Sequence, residues 1–213
     1  SAELFRTQMT DDSFAQKLTD LVGVLEKRSS IEVVVVLAVR SGGYQDLEHM
    51  LAFVGSMLCL LYLIHSPTEF QTDLWVVWLG LAYLTSLVLV RKFPTLWRHL
   101  TSVRRRRSQC LEQARCAFVE ERVASTRDRS GMLLYVSQWE REVVLLTDLG
   151  VDRHLPQSHL HQVENSVRRE PSWGAFQQKL LSEMAGLEGP LAEALPAAAD
   201  DSNELEDQIR VRR

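Results

Sequence analysis

Two apolar runs dominate the pattern of the chain. Residues 51–64 and 74–90 are almost unbroken apolar stretches, joined by the polar segment 65–73. A bilayer core of about 30 Å is crossed by about twenty helical residues at roughly 1.5 Å each. The second run has seventeen apolar or small residues and stops at Arg91-Lys92; the first is extended to the interfaces by His49, Met50 and His65. The pair reads as a two-helix transmembrane hairpin over 49–92. Tyr62, Trp75 and Trp78 stand toward its tether, and amphipathic rings of this kind settle in the headgroup zone.

Elsewhere the pattern is that of a soluble α/β chain. Phe14, Leu18, Leu21, Val22 and Leu25 recur at helical spacing over 13–28, with Asp11 or Asp12 as N-cap. Residues 31–39 are nearly all apolar and rich in β-branched side chains, as a strand buried on both faces requires. Ser41-Gly42-Gly43 breaks this run, and a helix starting at Tyr44 leads into the hairpin. A second amphipathic helix is expected over 108–125, then two strands, 132–137 and 143–147, about a turn at 138–142. Helices follow at 155–168 and 172–188, the latter with Ser172 as N-cap, and from 189 the Ala-, Pro-, Asp- and Glu-rich composition predicts fading order.

This gives six segments: 11–48, the first part of an α/β domain; 49–92, the hairpin; 93–107, a basic juxtamembrane stretch; 108–168, the second part of the domain; 169–188, a C-terminal helix; and 189–213, a tail. A strand as apolar as 31–39 cannot be buried by one neighbouring helix. The two later strands need partners too. One small mixed sheet shared by both parts, with the hairpin as an insertion, meets both needs.

Charge sets the orientation. Residues 41–90 hold no Lys or Arg, and the next seventeen hold seven basic residues and no acid. The tether carries Glu69 and Asp73 and is the segment expected to cross, while Arg91, Lys92, Arg98, Arg104, Arg105, Arg106 and Arg107 stay cytoplasmic and meet anionic lipid headgroups. An even number of spans returns the chain to its starting side, so both parts of the domain are expected in the cytoplasm of a bacterial cell, at its inner membrane. Four consecutive arginines also occur in nucleic-acid-binding and localisation segments, but beside a membrane exit lipid contact is the simpler reading, and no nucleic-acid partner is expected. The net charge of −4 conceals this asymmetry.

Candidate chemistry is sparse. Cys59, Cys110 and Cys116 form neither a disulfide framework nor a metal motif. His159 and His161, two apart on a helix, point to different sides, and with His154 they lack the partners of a zinc site. No nucleophile elbow, Walker loop or dinucleotide fingerprint is present. Glu140-Arg141-Glu142 falls at a hairpin tip, where solvated charges are the rule. Arg127 and Arg129 beside Ser130 and Gly131 are candidates for holding a phosphate or carboxylate; a solvated turn, or ion pairs with Glu120 and Glu121, is the alternative.

Ser29-Ser30-Ile31-Glu32 leading the β-branched run, Arg40-Ser41-Gly42-Gly43-Tyr44 after it, and Thr126-Arg127-Asp128-Arg129-Ser130-Gly131-Met132 through to Asp148-Leu149-Gly150-Val151 resemble the TPM domain (thylakoid lumen, photosystem and membrane-associated type). The resemblance covers about 11–48 and 108–168, with Glu32, Gly131, Glu140, Arg141 and Gly150 in comparable places. It implies a TPM-like α/β/α sandwich, here interrupted by the hairpin. Some relatives are acid phosphatases that bind calcium through loop-end carboxylates. On that pattern Asp128, Asp148 and Asp152 would supply oxygen ligands for Ca²⁺ or Mg²⁺, although solvated or capping roles are commoner for such residues.

Two functions follow as expectations. One is a membrane-anchored binding, scaffolding or assembly module for other membrane proteins; the other is a divalent-metal-dependent phosphatase. The absence of charge inside the spans disfavours transport. Oligomeric state, substrate and partner identity are not encoded in any recognisable motif.

Overall fold

The computed structural model describes residues 12–66, 72–93, 98–126, 128–197 and 209–212. Two units are distinct: one of residues 1–41 and 103–213, the other of residues 42–102.

The first is an α/β unit around a four-stranded mixed sheet of order β3-β2-β1-β4. Its strands are β1 (Glu32–Ala38), β2 (Gly131–Ser137), β3 (Glu142–Thr147) and β4 (Arg210–Arg212). β1 pairs parallel with β2 from Glu32 opposite Gly131 to Ala38 opposite Ser137, and β2 turns back into antiparallel β3. The expected sharing of one sheet across the hairpin is therefore what is found.

Successive β1 side chains serve opposite faces, as the strand period demands. Val33 and Val35 join Met132, Leu134, Val143 and Leu145 in one core; Val34 and Val36 join Leu133, Tyr135 and Val144 in another. The first core is closed by α1 (Asp12–Arg28), through Phe14, Leu18, Val22 and Leu25. The later helices α6 (Gln157–Arg168), α7 (Trp173–Gly186) and α8 (Glu188–Ala194) complete it; α5 (Leu149–Asp152) is a single turn after β3. Ser172 caps α7 as expected, its hydroxyl accepting from Ala175 N–H at 3.2 Å. The second core is closed by α4 (Val103–Glu120), whose small Cys110, Ala114 and Ala117 bring its axis close to the sheet.

Two boundaries differ from expectation. α4 begins at Val103, so the four arginines form its opening turns within the α/β unit instead of a separate juxtamembrane stretch. It ends at Glu120, where Arg122 takes a left-handed φ of 54° that closes a helix. The tail 189–213 is also not wholly irregular. Glu188–Ala194 is helical, and Ile209 packs on the core just before β4 adds to β1.

The second unit holds α2 (Gln45–His65) and α3 (Trp75–Lys92), both long and apolar enough to cross a membrane. At 1.5 Å per residue they are about 31 and 27 Å long. Their polarity is inside out. Polar and small groups face each other: Ser56 Oγ donates to Leu79 C=O at 3.1 Å, His49 Nδ1 and Tyr83 Oη share a hydrogen bond of 2.7 Å, and Arg91 pairs with Glu48 at 3.2 Å. Phe53, Leu58, Tyr62, Val76, Leu84 and Val88 face outward, with Val76 78% exposed. Residues 67–71 of the tether and 94–97 of the basic flank lie outside the described residues.

Gly55 sets the closeness of this pair, since a Cβ there would lie 2.1 Å from Ser86 Oγ and 2.8 Å from its Cβ. Gly55→Ala is expected to weaken the hairpin by about 1–3 kcal/mol, the usual cost of overpacking. Unfolding in mixed detergent, followed by tryptophan fluorescence, measures it. Ser86→Gly in the same chain should recover most of the loss, and no recovery would mean that this contact does not govern the approach.

Candidate functional site

The carboxyl ends of β1 and β2 are where an open α/β sheet offers a ligand site. In this chain that end is filled by a buried polar cluster. Glu140, in the turn after β2, is only 1% exposed. One carboxylate oxygen accepts from the Ser41 N–H at 3.0 Å, and the other accepts from the Ser137 hydroxyl. The Ser41 and Tyr135 hydroxyls share a hydrogen bond of 2.9 Å. Two backbone bonds reinforce the clasp, Gln138 N–H to Ala38 C=O at 2.9 Å and Trp139 N–H to Val39 C=O at 3.0 Å. Arg40 lies over the Trp139 ring, 5.1 Å from its centroid.

Two further carboxylates adjoin the start of β3. Glu142, also 1% exposed, accepts from Arg168 Nε. Glu164 on α6 accepts the Leu145 N–H at 3.0 Å, meets His161 Nδ1 at 3.1 Å, and lies 3.6 Å from Arg107. The hairpin-tip acids expected in solvent are thus interior. Trp139 and Arg141 stay partly accessible while Glu140 and Glu142 turn in, which the alternation about the turn allows. That alternation was the available signal. Arg141 itself takes a left-handed φ of 52° to make the turn.

Two groups of this cluster hold their protons more tightly than usual. Burial, helped by the Glu140 charge, pushes the Cys110 thiol up to about 12, and burial takes the Tyr135 phenol to about 12. A nucleophilic thiol needs the opposite shift. The hydroxyls of Ser41, Ser137 and Tyr135 are spent on one another and on Glu140. The arrangement ties the residue at which the chain leaves the α/β unit, Ser41, to the turn that joins β2 to β3.

The residues expected to bind metal lie at the other end of these strands. Asp148 caps α5 through the Leu149 N–H at 2.8 Å, with Arg129 Nη1 at 3.8 Å. Asp152 accepts from the Thr147 hydroxyl and from Gln157 Nε2 at 2.6 Å. The Asp128 and Arg129 carbonyls press against Gly150, where a Cβ would meet them at 2.5 and 2.6 Å. Among the described residues no three of His, Cys, Asp or Glu gather so as to hold a metal ion. Arg127 lies outside the described residues, so the expected anion pair with Arg129 is placed only in half. Glu120 and Glu121 are engaged by Arg212 and Arg210 of β4, not by Arg129.

Of the expected membrane-surface residues, Arg91 pairs with Glu48, Lys92 lies 5.9 Å from the Phe93 ring centroid, and Arg98 opens a short turn, Arg98–Leu100. Arg104 is exposed and Arg105 and Arg106 are half-buried, while Arg107 is exposed as well as paired.

Two outcomes are expected. Burial raises the Glu142 carboxyl above its ordinary value of 4.5, with Arg168 opposing. The folded state therefore binds that proton more tightly than the unfolded one. The stability this contributes is full below pH about 4.5 and is lost as pH rises through the raised value. Thermal midpoints from pH 4 to 8 should show Glu142→Gln gaining on the unaltered chain as pH increases; parallel curves would contradict this. Asp148→Asn should cost no more than about 1 kcal/mol, because asparagine also caps. That loss should be the same with or without millimolar Ca²⁺, whereas a metal ligand would make it calcium-dependent.

No family model matches the chain, and no curated protein matches it. Among solved structures it is similar to the NMR structure of the BA42 protein from the psychrophilic bacterium Bizionia argentinensis, with 16% identity and a TM-score of 0.54, over 93% of this chain and 92% of that one. The likeness is one of fold.

Proposed function

We propose that the chain is an integral protein of a bacterial inner membrane, crossing it twice, whose TPM-like α/β unit lies in the cytoplasm as a binding and assembly module for other membrane proteins. The observation that carries this reading is the inside-out polarity of α2 and α3. Their hydroxyl, imidazole and charged groups are turned toward each other, and their large apolar side chains are turned away. In water that surface would be a severe liability; in hydrocarbon it is the low-energy arrangement. Asp46 and Glu48 in the first turn of α2, and Arg91 and Lys92 in the last turn of α3, also sit at the helix ends their charges favour.

The orientation rests on the basic residues Arg91, Lys92, Arg98, Arg104, Arg105, Arg106 and Arg107, each of which gains about 1 kcal/mol near an anionic leaflet. The TPM-like assignment is supported by where its pattern residues fall: Glu32 and Gly131 open β1 and β2, and Glu140 and Arg141 form the turn before β3. A binding role is supported by the polar cluster, whose thiol and phenol hold their protons and whose hydroxyls and carboxylate hold one another.

Two measurements test the proposal. In a Cys59→Ser background, an impermeant maleimide should reach the exposed Cys116 only in inverted vesicles. A chain with Asp73→Cys and Cys116→Ser should be labelled only in right-side-out vesicles. Labelling of both positions from one side would end the two-span reading. Crosslinking in native membranes should give a reproducible complex with another integral membrane protein, and a chain that stays uncrosslinked under all conditions would remove the assembly role.

A further inference from the structure

β4 occupies the outer edge of β1 on unusual terms. It is three residues long and parallel to β1, with Arg210, Val211 and Arg212 opposite Val36, Leu37 and Ala38. The Val39 N–H donates to Arg212 C=O at 3.0 Å. Val211 is 59% exposed, so the three strand residues themselves gain little from burial, although Ile209 just before them packs on the core. Specificity comes instead from charge. Arg210 Nε lies 3.1 Å from Glu121, and Arg212 reaches Glu121 at 2.8 Å and Glu120 at 2.6 Å.

The acids that receive these arginines stand where a helix tolerates acids least, at and just past the C-terminus of α4, whose dipole end is negative. Burial alone would raise Glu121, yet Arg212 and Arg210 bring it below the ordinary carboxylate value. The acid pair is thus unfavourable for its own helix and is balanced by an incoming strand. Beneath that strand, β1 presents the backbone groups of a sheet edge, paired by β4 from Val36 to Ala38, and such edges accept extended segments readily. The backbone supplies affinity, and the acid pair reads side chains two residues apart.

We propose that the outer edge of β1, rimmed by Glu120 and Glu121, is a strand-acceptor site for an extended segment bearing arginines at alternate positions, and that Arg210–Arg212 is its resident occupant, displaceable by a partner segment of the same pattern. The site belongs to the α/β unit alone. It extends the assembly reading by naming the kind of partner that unit takes, and its failure would leave the vesicle-labelling result untouched.

The probe is a fluorescein-labelled peptide spanning residues 207–213, added to the detergent-solubilised full chain. Resident and probe compete, so the unaltered chain should bind it weakly. The full chain carrying Arg210→Ala and Arg212→Ala, whose own strand has lost its clasp, should bind it at least ~10-fold more tightly, because the tethered competitor is gone. A peptide with both arginines replaced by alanine should bind the released chain at least ~10-fold more weakly, since charge-assisted pairs carry the selectivity. Adding Glu121→Lys should abolish that difference, and lysine suits a helix C-terminus, so the fold is retained.

Amide exchange gives an independent reading. Val39 should lose protection in the released chain and regain it with peptide, while Val144 on the β3 side stays protected throughout. Equal binding of the two peptides, equal binding by the released and unaltered chains, or an unchanged Val39 amide would each overturn the proposal. Should the double variant lose its fold, Glu121→Gln in the otherwise unaltered chain must still speed Val39 exchange, and failure to do so overturns it equally.

Discussion

The parallel pairing of β1 with β2 governs everything between them. Parallel neighbours need a crossover that begins at the carboxyl end of one strand and finishes at the amino end of the next. α4 makes that journey. Cys110, in the first half of the helix near its middle, lies within reach of Ser41 and Ser137 at the carboxyl ends, and Val123, just past its end, presses on Gly131 at the amino end of β2. Its eighteen residues span about 27 Å, a match for a seven-residue strand of about 23 Å. The hairpin is therefore inserted in the loop of an ordinary βαβ crossover. It leaves after β1 and returns before α4 without disturbing strand register, which is why 61 residues (42–102) can form a unit of their own inside a sheet that stays continuous.

That route leaves α4 with its charge reversed. Arginines occupy the positive end of the helix dipole and glutamates the negative end, each an unfavourable placement. The two ends are compensated by different parts of the chain. At the first, Glu164 approaches Arg107, and the charges of Arg106 and Arg107 act on the buried Glu142. At the second, the arginines of β4 cover Glu120 and Glu121. Burying a carboxylate costs several kcal/mol unless it is paired and hydrogen-bonded. Glu164 is held by the Leu145 amide, His161 and Arg107, whereas Arg168 only partly offsets the burial of Glu142, whose carboxyl stays raised.

Much of this was legible in the residues. A β-branched run with no polar alternation has few stable places other than the middle of a sheet, and 31–39 declared β1 for that reason. The hairpin declared itself by length and by its charge step, and Ser172 declared a helix start. What escaped did so where local chemistry is ambiguous. Glu140 and Glu142 look like solvent charges because hairpin tips are normally solvated. Their burial depends on Ser41 and Arg168, which are distant in sequence. β4 was missed because two arginines within three residues do not read as a strand until Glu120 and Glu121 are known to lie beside them. Asp148 and Asp152 are engaged in capping and hydroxyl bonds, which are as natural for an aspartate as metal binding is and are set by neighbours the sequence does not single out.

The polar groups at the carboxyl ends of the strands are engaged with one another. At the carboxyl ends of these strands the thiol and phenol are shifted away from reactivity, and Glu140 spends its oxygens on a backbone amide and a hydroxyl. Such a cluster ties Ser41, the last residue of β1's side of the α/β unit, to the turn between β2 and β3. The unspent capacity of the fold lies at the other edge of the sheet, where a three-residue strand held by charge covers a backbone able to accept another.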